Sequence, residues 1–411
     1  MATVLPFAGM RPPLELIEKV AAPPYDVLNS NEARKLAEDN PVSFLHITKP
    51  EIDFPADTDA YSAEVYSRAE ANMTQFLDKE IFRKDEQPCF YLYRQSMTLP
   101  DHSTHTQTGI LGLVSADDYE SNVIRKHELT RPQKENDRVR HMQAVNAQTG
   151  PVFLTYQAEK KLAELIAGQC EADPDIDFTS DGVTHQLWIV SDADILESIK
   201  RQFNEVQVLF VADGHHRSAA AVRYRETCRA ENSNHTGDEP YNFFMAVLFP
   251  HDQLNILGYH RVIRDLGGRD AQSFLDAVAE KYEIQPAKTD AMPDKAKQFG
   301  LYLDNQWYRL TLIMETDEAL DVAILHDTIL EPILGIEDER SDSRLDFVGG
   351  IRGKEGLENA VDSGDFAAAI ACYPVGIEQL MAVAEKDELM PPKSTWFEPK
   401  LKSGLVIHYL G

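Results

Sequence analysis

Cysteine is scarce in this chain: four in 411 residues, Cys89, Cys170, Cys228 and Cys372, with no CxxC pair among them. That spacing excludes a dithiol redox motif and a zinc ribbon. Long apolar runs are missing as well; none approaches the ~18 residues that a membrane-spanning helix needs. The opening MATVLPFAGMRPPLELIEKV has no basic segment leading into an apolar one, so the expectation is a cytoplasmic protein with no membrane partner. Positive charge is in short supply. Forty Lys and Arg face 68 Asp and Glu, a formal charge of -28, and a field of that sign repels phosphate backbones, which argues against nucleic acid as a partner. Internal repeats and low-complexity segments are absent. So are a GxGxxG after a strand, a GxSxG elbow and the HRD and DFG signatures of protein kinases. Gly353-Lys354 is followed by Glu355 where a Walker loop needs Ser or Thr, and Val348 stands where its first glycine belongs, so that glycine-rich stretch is not a P-loop.

What remains is the composition of an ordinary globular protein, 43% hydrophobic and 26% charged, long enough for two or three domains. Residues 61–80 repeat apolar positions at helical spacing. CFYLYRQSMTL and GILGLVSADD flank a polar turn and read as a hairpin. From Gly150 onward strand and helix patterns alternate: PVFLTYQ, EKKLAELIAGQC, HQLWIVSD, ADILESIKRQF, VQVLFVADG and a helix rich in alanine. NFFMAVLFPHDQLNILGYHRVI supplies two more strands. The expected fold class is α+β, with a mixed-sheet domain over residues 1–266 and a second α/β unit over 267–411 whose apolar end pairs into a sheet and returns toward the first unit.

The segment with most chemical content is VQVLFVADGHHR, residues 206–217. A buried strand ends, and Asp213, Gly214, His215, His216 and Arg217 stand at the mouth of a helix starting near Ser218. The first turn of a helix offers backbone N–H groups and the positive end of the dipole, which suits phosphate. Gly214 permits a tight turn, and Arg217 adds a planar fork of donors. Asp213 is a candidate ligand for Mg²⁺, which accepts one or two carboxylates and completes its shell with nucleotide phosphates. The plain alternative is a helix cap with two surface histidines. A second cluster, IRKHELTRPQKENDRVRH (124–141), holds six Lys or Arg against three acids, a local positive excess suited to a small anion. There Glu128, beside Lys126 and His127, is a candidate general base. Its plain alternative is a solvated charged helix. The loop Pro391-Pro392-Lys393-Ser394-Thr395 combines a cation with two hydroxyls and is a weaker anion-binding candidate, and Pro23-Pro24-Tyr25-Asp26 reads first as a turn. His102 and His105 read as solvated residues of a polar turn.

The DGHHR segment resembles the nucleotide-binding segment of the ParB/sulfiredoxin superfamily and, within it, that of the archaeal-type free L-serine kinases. The chain as a whole resembles the family catalogued as domain of unknown function 1015, through PPYDV (23–27), the HE-T segment (127–130), KENDR (134–138), ADGHHR (212–217) and the PPKST-F-PK-SGLV tail (391–406). The kinase resemblance implies a ParB/sulfiredoxin-like core and transfer of a phosphoryl group from ATP or ADP, with Mg²⁺, to the hydroxyl of free L-serine. It implies Glu128 as catalytic base and Asp213 as catalytic residue and metal ligand. Gly214, His215, His216, Arg217 and Ser218 are then expected on nucleotide phosphates, and Lys126, His127, Arg138, Lys393, Ser394 and Thr395 on the substrate. Trp396 and Phe397 stand where the archaeal tail has Arg and His, so Lys126 or Arg138 has to serve the substrate carboxylate. A nucleotide-binding switch of ParB type, without a small-molecule acceptor, is the alternative. A sulfiredoxin-like reductase is disfavoured because no cysteine lies beside the pentad.

Overall fold

The computed structural model describes residues 1–99, 102–287, 291–313 and 320–411. The chain divides into two units that are not simple halves. The first comprises Met1–Thr98, Thr104–Leu254 and Pro399–Gly411; the second comprises Leu99–Ser103 and Asn255–Glu398.

The first unit is built on a nine-stranded mixed sheet. Its central path runs Ile124–Arg125, Leu209–Asp213, Val152–Tyr156, Phe243–Pro250, Thr104–Ser115, Phe90–Thr98, Val183–Val190, Ile176–Ser180, and Val4–Leu5 also pairs with Thr104–Ser115. The expected hairpin forms, with Tyr91 opposite Leu111 and Thr98 opposite Thr104. Its second strand starts at Thr104, so most of the polar stretch expected as loop is strand, because threonines pair well on a pleated surface. His105, expected in a solvated turn, stands in that strand, and its partial burial lowers its pKa. Two pairings are parallel: Leu209–Asp213 with Ile124–Arg125, and Phe243–Pro250 with Val152–Tyr156. The runs FVA and FLTY are buried without alternation, as expected of strands covered on both faces. Helices Ala63–Asp78, Lys160–Gln169, Ala193–Glu205 and His215–Glu231 lie where apolar periodicity places them. Asp192 caps the third of these by accepting from Asp194 N and Ile195 N, a contact worth about 1 kcal/mol.

The end of the chain departs from expectation in form. Only His408–Tyr409 is strand, paired with Ala147–Gln148. Leu401 through His408 are nonetheless all buried. Single bridges, Met10 to Ile407 and Ala22 to Ser403, tie this irregular stretch to the N-terminal segment. Apolar residues pull it inward although it has too little regular pairing to read as a strand.

The second unit carries a six-stranded antiparallel sheet in the order Tyr282–Ala287, Gln306–Leu312, Gln298–Leu303, Ala368–Cys372, Tyr259–Ile263, Leu345–Gly349. A two-stranded ribbon joins Asn255–Leu257 to Trp396–Glu398. Its core gathers Ile263, Phe274, Phe299, Leu301, Leu310, Leu330 and Ile370. No helix among the described residues is long and apolar enough to cross a membrane.

Candidate functional site

The strand Leu209–Asp213 turns directly into the helix His215–Glu231, which begins three residues earlier than expected. Gly214 makes this possible. It has φ 97° and ψ 28°, and a Cβ there would meet the Arg217 guanidinium at 3.3 Å and Val152 Cα at 3.4 Å. Any other residue would be strained in the backbone and crowded at the side chain. No side chain of the capping residue closes the helix start.

Beside it, the strand Ile124–Arg125 runs parallel to Leu209–Asp213, with Ile124 opposite Leu209 and Arg125 opposite Phe210. Both chains therefore leave the sheet at the same edge. The segment that follows Arg125 is held against the helix entrance at two points. The His127 ring packs edge-on against His215 with centroids 4.5 Å apart, and the Arg131 backbone N–H donates to His216 Nε2 at 3.0 Å. Glu128 lies between these two ties. Further along, Thr130 donates to Glu135, and Arg223 of the long helix bonds Glu135 Oε2 at 2.9 Å and Asn136 Oδ1 at 2.7 Å. His127 is buried, and burial pushes its pKa down to about 4 in spite of the Asp213 charge and a bond to the Val211 carbonyl. It enters the site as a neutral imidazole.

Asp213 is flanked by cations. Lys400 Nζ stands 2.9 Å from its Oδ2, and Arg217 Nη2 lies 3.9 Å from its Oδ1. Lys400 is the candidate site residue that sequence reasoning missed. It sits 187 positions away in an irregular segment, and only its place in the PPKST-F-PK-SGLV tail hinted at it. Arg217 donates through Nη1 to the Pro151 carbonyl, while its buried Nε has no hydrogen-bond partner among the described residues.

A cavity beside this entrance is lined in part by Tyr25, Arg138, His141, Thr149, Arg217 and Ser403. Arg138 was expected on a charged helix; the helix is Pro132–Val145, and Arg138 is turned inward. Its guanidinium lies 3.9 Å from the Tyr25 ring centroid and donates from Nε and Nη2 to Asp137 Oδ2 at 2.9 and 2.7 Å. Burial above all, then the neighbouring Asp26, raises the Tyr25 pKa, so the ring stays neutral. The turn at residues 23–26 thus serves as a platform for a cation.

Other expected site residues are used differently. Ser218 is fully buried and its hydroxyl donates to the His215 carbonyl at 3.0 Å, so it is part of the helix packing and not of the exposed first turn. Lys126 places its ammonium 4.4 Å from the Tyr119 ring centroid, a cation–π contact that anchors it. His216 accepts from the chain carrying Glu128, which makes it a strut of the site. Lys393, Ser394 and Thr395 belong to the second unit. There Lys393 Nζ lies 5.4 Å from the Tyr259 ring centroid and buried Ser394 donates to the Pro391 carbonyl at 2.6 Å.

Mg²⁺ requires few protein ligands when phosphates supply the rest. Asp213 offers one carboxylate at the helix entrance, and among the described residues no group of three His, Cys, Asp or Glu ligands gathers there. That donor set fits a cation held mainly by its nucleotide and does not fit an all-protein cage.

Solved structures similar to this chain include a free serine kinase with a Glu-to-Gln substitution in complex with AMP, at 12% identity and a TM-score of 0.36, covering 70% of this chain and 87% of that one. SbnI from Staphylococcus aureus, truncated at its C-terminus, gives 12% identity and a TM-score of 0.37 over 71% and 84%. A conserved hypothetical protein from Pyrococcus furiosus gives 12% and 0.34 over 71% and 93%. At TM-scores below 0.5 these likenesses fix neither fold nor activity. No curated protein matches the chain. Residues 4–329 match the family described as protein of unknown function, DUF1015, and over that span the chain belongs to this family.

Proposed function

We propose that this protein is a small-molecule kinase with a ParB/sulfiredoxin-like core, which transfers a phosphoryl group from ATP or ADP to the hydroxyl of free L-serine and yields O-phosphoserine. The observation that carries the reading is the double tie of residues 127–131 to the start of the helix at His215, through the His127–His215 ring contact and the Arg131–His216 hydrogen bond. It keeps Glu128 beside a helix entrance suited to phosphate, in a part of the molecule with Arg138, Arg217 and Lys400 as cations.

Phosphoryl transfer asks of a protein mainly alignment and charge neutralisation. In this reading the serine hydroxyl oxygen attacks the terminal phosphorus of the nucleotide, Glu128 takes the hydroxyl proton, and the P–O bond to the leaving nucleotide breaks. Backbone N–H groups of the turn at Gly214–Arg217, with the Arg217 guanidinium and the Lys400 ammonium, hold the phosphates. Lys400 is positioned by Asp213. Arg138, stacked on Tyr25, takes the substrate carboxylate. Neutral His127, packed against the His215 ring, adds no competing charge. Bound Mg²⁺, with Asp213 as its protein ligand, would neutralise charge on the phosphates.

The test is mass spectrometry of the purified protein with Mg²⁺, ATP or ADP and a pool of amino acids, for the native chain and for Glu128→Gln. Phosphoserine is expected from the native chain. The variant should lose roughly 10²–10⁴-fold in turnover, the usual worth of a positioned base, and keep its nucleotide affinity. Equal turnover in the variant would remove Glu128 from its role. Nucleotide retention with no phosphorylated acceptor from any amino acid would replace the kinase by a nucleotide-binding switch.

A further inference from the structure

The second unit contains a cluster that the kinase reading leaves unused. The helix Asp321–Leu325 continues without a break into a π-helical turn, His326–Leu330, whose wider hydrogen bond runs from Glu331 N to the His326 carbonyl at 3.0 Å. Turns of this kind are uncommon and recur at functional sites because they bring residues five apart to one side. Here they bring together His326 and Glu331, with His326 Nε2 4.0 Å from Glu331 Oε2. Asp327 completes the group: one ligand atom from each of the three lies within 4.8 Å of the others. The turn is pinned from below by Thr328, which donates to the Ile324 carbonyl at 2.5 Å and lies 2.6 Å from the Tyr282 hydroxyl.

Three such side chains near solvent are not by themselves a site. What distinguishes this cluster is a buried carboxylate oxygen aimed into it. Glu339 is 2% exposed at its side chain, and its Oε2 is taken by Arg261, through Nε at 3.1 Å and Nη2 at 3.0 Å. Its Oε1 makes no hydrogen bond of good geometry among the described residues and stands at ion-pair distance, 3.3 Å, from His326 Nδ1. A small rotation of the imidazole would complete that bond, place the proton on Nδ1 and leave the Nε2 lone pair directed toward Asp327 and Glu331. Behind metal-binding histidines a carboxylate commonly accepts from the other ring nitrogen in this way, fixing tautomer and ring orientation. Arg261, fully buried, is itself held by the carbonyls of Tyr259, Lys393 and Pro392, so Glu339 cannot swing away without leaving a buried cation unpaired.

We propose that His326, Asp327 and Glu331 bind a divalent metal ion of the Mn²⁺ or Zn²⁺ type, with Glu339 as the residue that positions His326. One imidazole and two carboxylates suit the borderline ions of that series better than Ca²⁺, which takes six or more oxygens. Ligands at ~2.1 Å from a common ion lie no more than ~4.2 Å apart, so the two exposed carboxylates close by a few tenths of an ångström on binding. The site is independent of the nucleotide reading.

Mn²⁺ added to the full-length protein without nucleotide, followed by electron paramagnetic resonance, tests it. The native chain should remove one equivalent of Mn²⁺ from the free signal, with a nitrogen coupling from one imidazole in the bound fraction. His326→Ala and Asp327→Asn with Glu331→Gln should each lose that ion. The second variant alters only exposed side chains, so its folding is not at stake. Glu339→Gln should weaken binding by about 10–100-fold and leave the nitrogen coupling in what binds, whereas Asp213→Asn should change nothing at this site. Unchanged binding in the Asp327/Glu331 variant, loss of the ion in Asp213→Asn instead, or no binding by the native chain at millimolar Mn²⁺ would each overturn the assignment.

Discussion

Two arginines, one half-buried in the first unit and one fully buried in the second, are treated in opposite ways. Arg261 in the second unit is saturated: Glu339 takes Nε and Nη2, and three backbone carbonyls take the remaining donors. Arg217 in the first unit has one strong acceptor, the Pro151 carbonyl, a distant carboxylate at 3.9 Å, and an Nε without a partner among the described residues. A guanidinium that spends all its donors on its own fold is structural. One that keeps donors in reserve beside a helix entrance is suited to an incoming anion, because a buried donor left unmade costs about 1–3 kcal/mol and a ligand that satisfies it recovers that cost.

The comparison breaks most readily at Arg261. Arg261→Ala should destabilise the protein by about 3–5 kcal/mol, since it leaves Glu339 buried without its partner, and urea denaturation followed in the second unit would register the loss. A variant as stable as the native chain would mean that Arg261 is not the keystone described. Arg217→Gln should instead leave the denaturation midpoint nearly in place and weaken nucleotide binding about tenfold, the ~1.4 kcal/mol expected for losing a charged hydrogen bond; calorimetric titration with ADP distinguishes the two. If stability falls and affinity does not, the two arginines are alike after all.

The smallest effect concerns the histidines beside arginines. His141, near Arg138, and His260, next to Arg261, are each driven to a pKa of about 4, by burial first and by the neighbouring guanidinium second. The unfolded chain binds protons on these rings near pH 6.5 and the folded chain does not, so the unfolded state holds more protons between pH 6.5 and about 4. Stability contributed by each neutral ring is complete above pH 6.5 and is lost as pH falls through that window, about 1 kcal/mol for each of the two by one pH unit below. His141→Gln should flatten the fall of the urea midpoint between pH 6.5 and 5.5; an unchanged slope would show that this ring is already charged in the fold.

Most of the local architecture was legible in the sequence. The alternation from Gly150 onward placed three strands and three helices within a few residues, because each carries its own apolar period and its own breakers. The sheet order was not legible. The parallel neighbours Ile124–Arg125 and Leu209–Asp213 are separated by more than eighty residues of chain, and the first of them is two residues long, too short to announce itself. Site legibility followed the same line. Asp213, Gly214 and Arg217 share one short segment and could be read together; Lys400 could not, and neither could the roles of Ser218 and His216, since burial and the partner of an imidazole nitrogen are decided by distant segments. The Arg261–Glu339 pair and the widened turn at His326 left no periodic signal for the same reason.

The way Pro399–Gly411 is woven into the first unit bears on how the molecule comes into being. A ribosome delivers the helix entrance at Asp213 long before it delivers Lys400, and residues Asn255–Glu398 of the second unit emerge in between. During that interval the nascent first unit lacks both a buried apolar strip and the ammonium that faces Asp213. Chains interrupted anywhere before residue 400 therefore lack the ammonium that faces Asp213, and the first unit completes its packing only after the intervening residues have emerged.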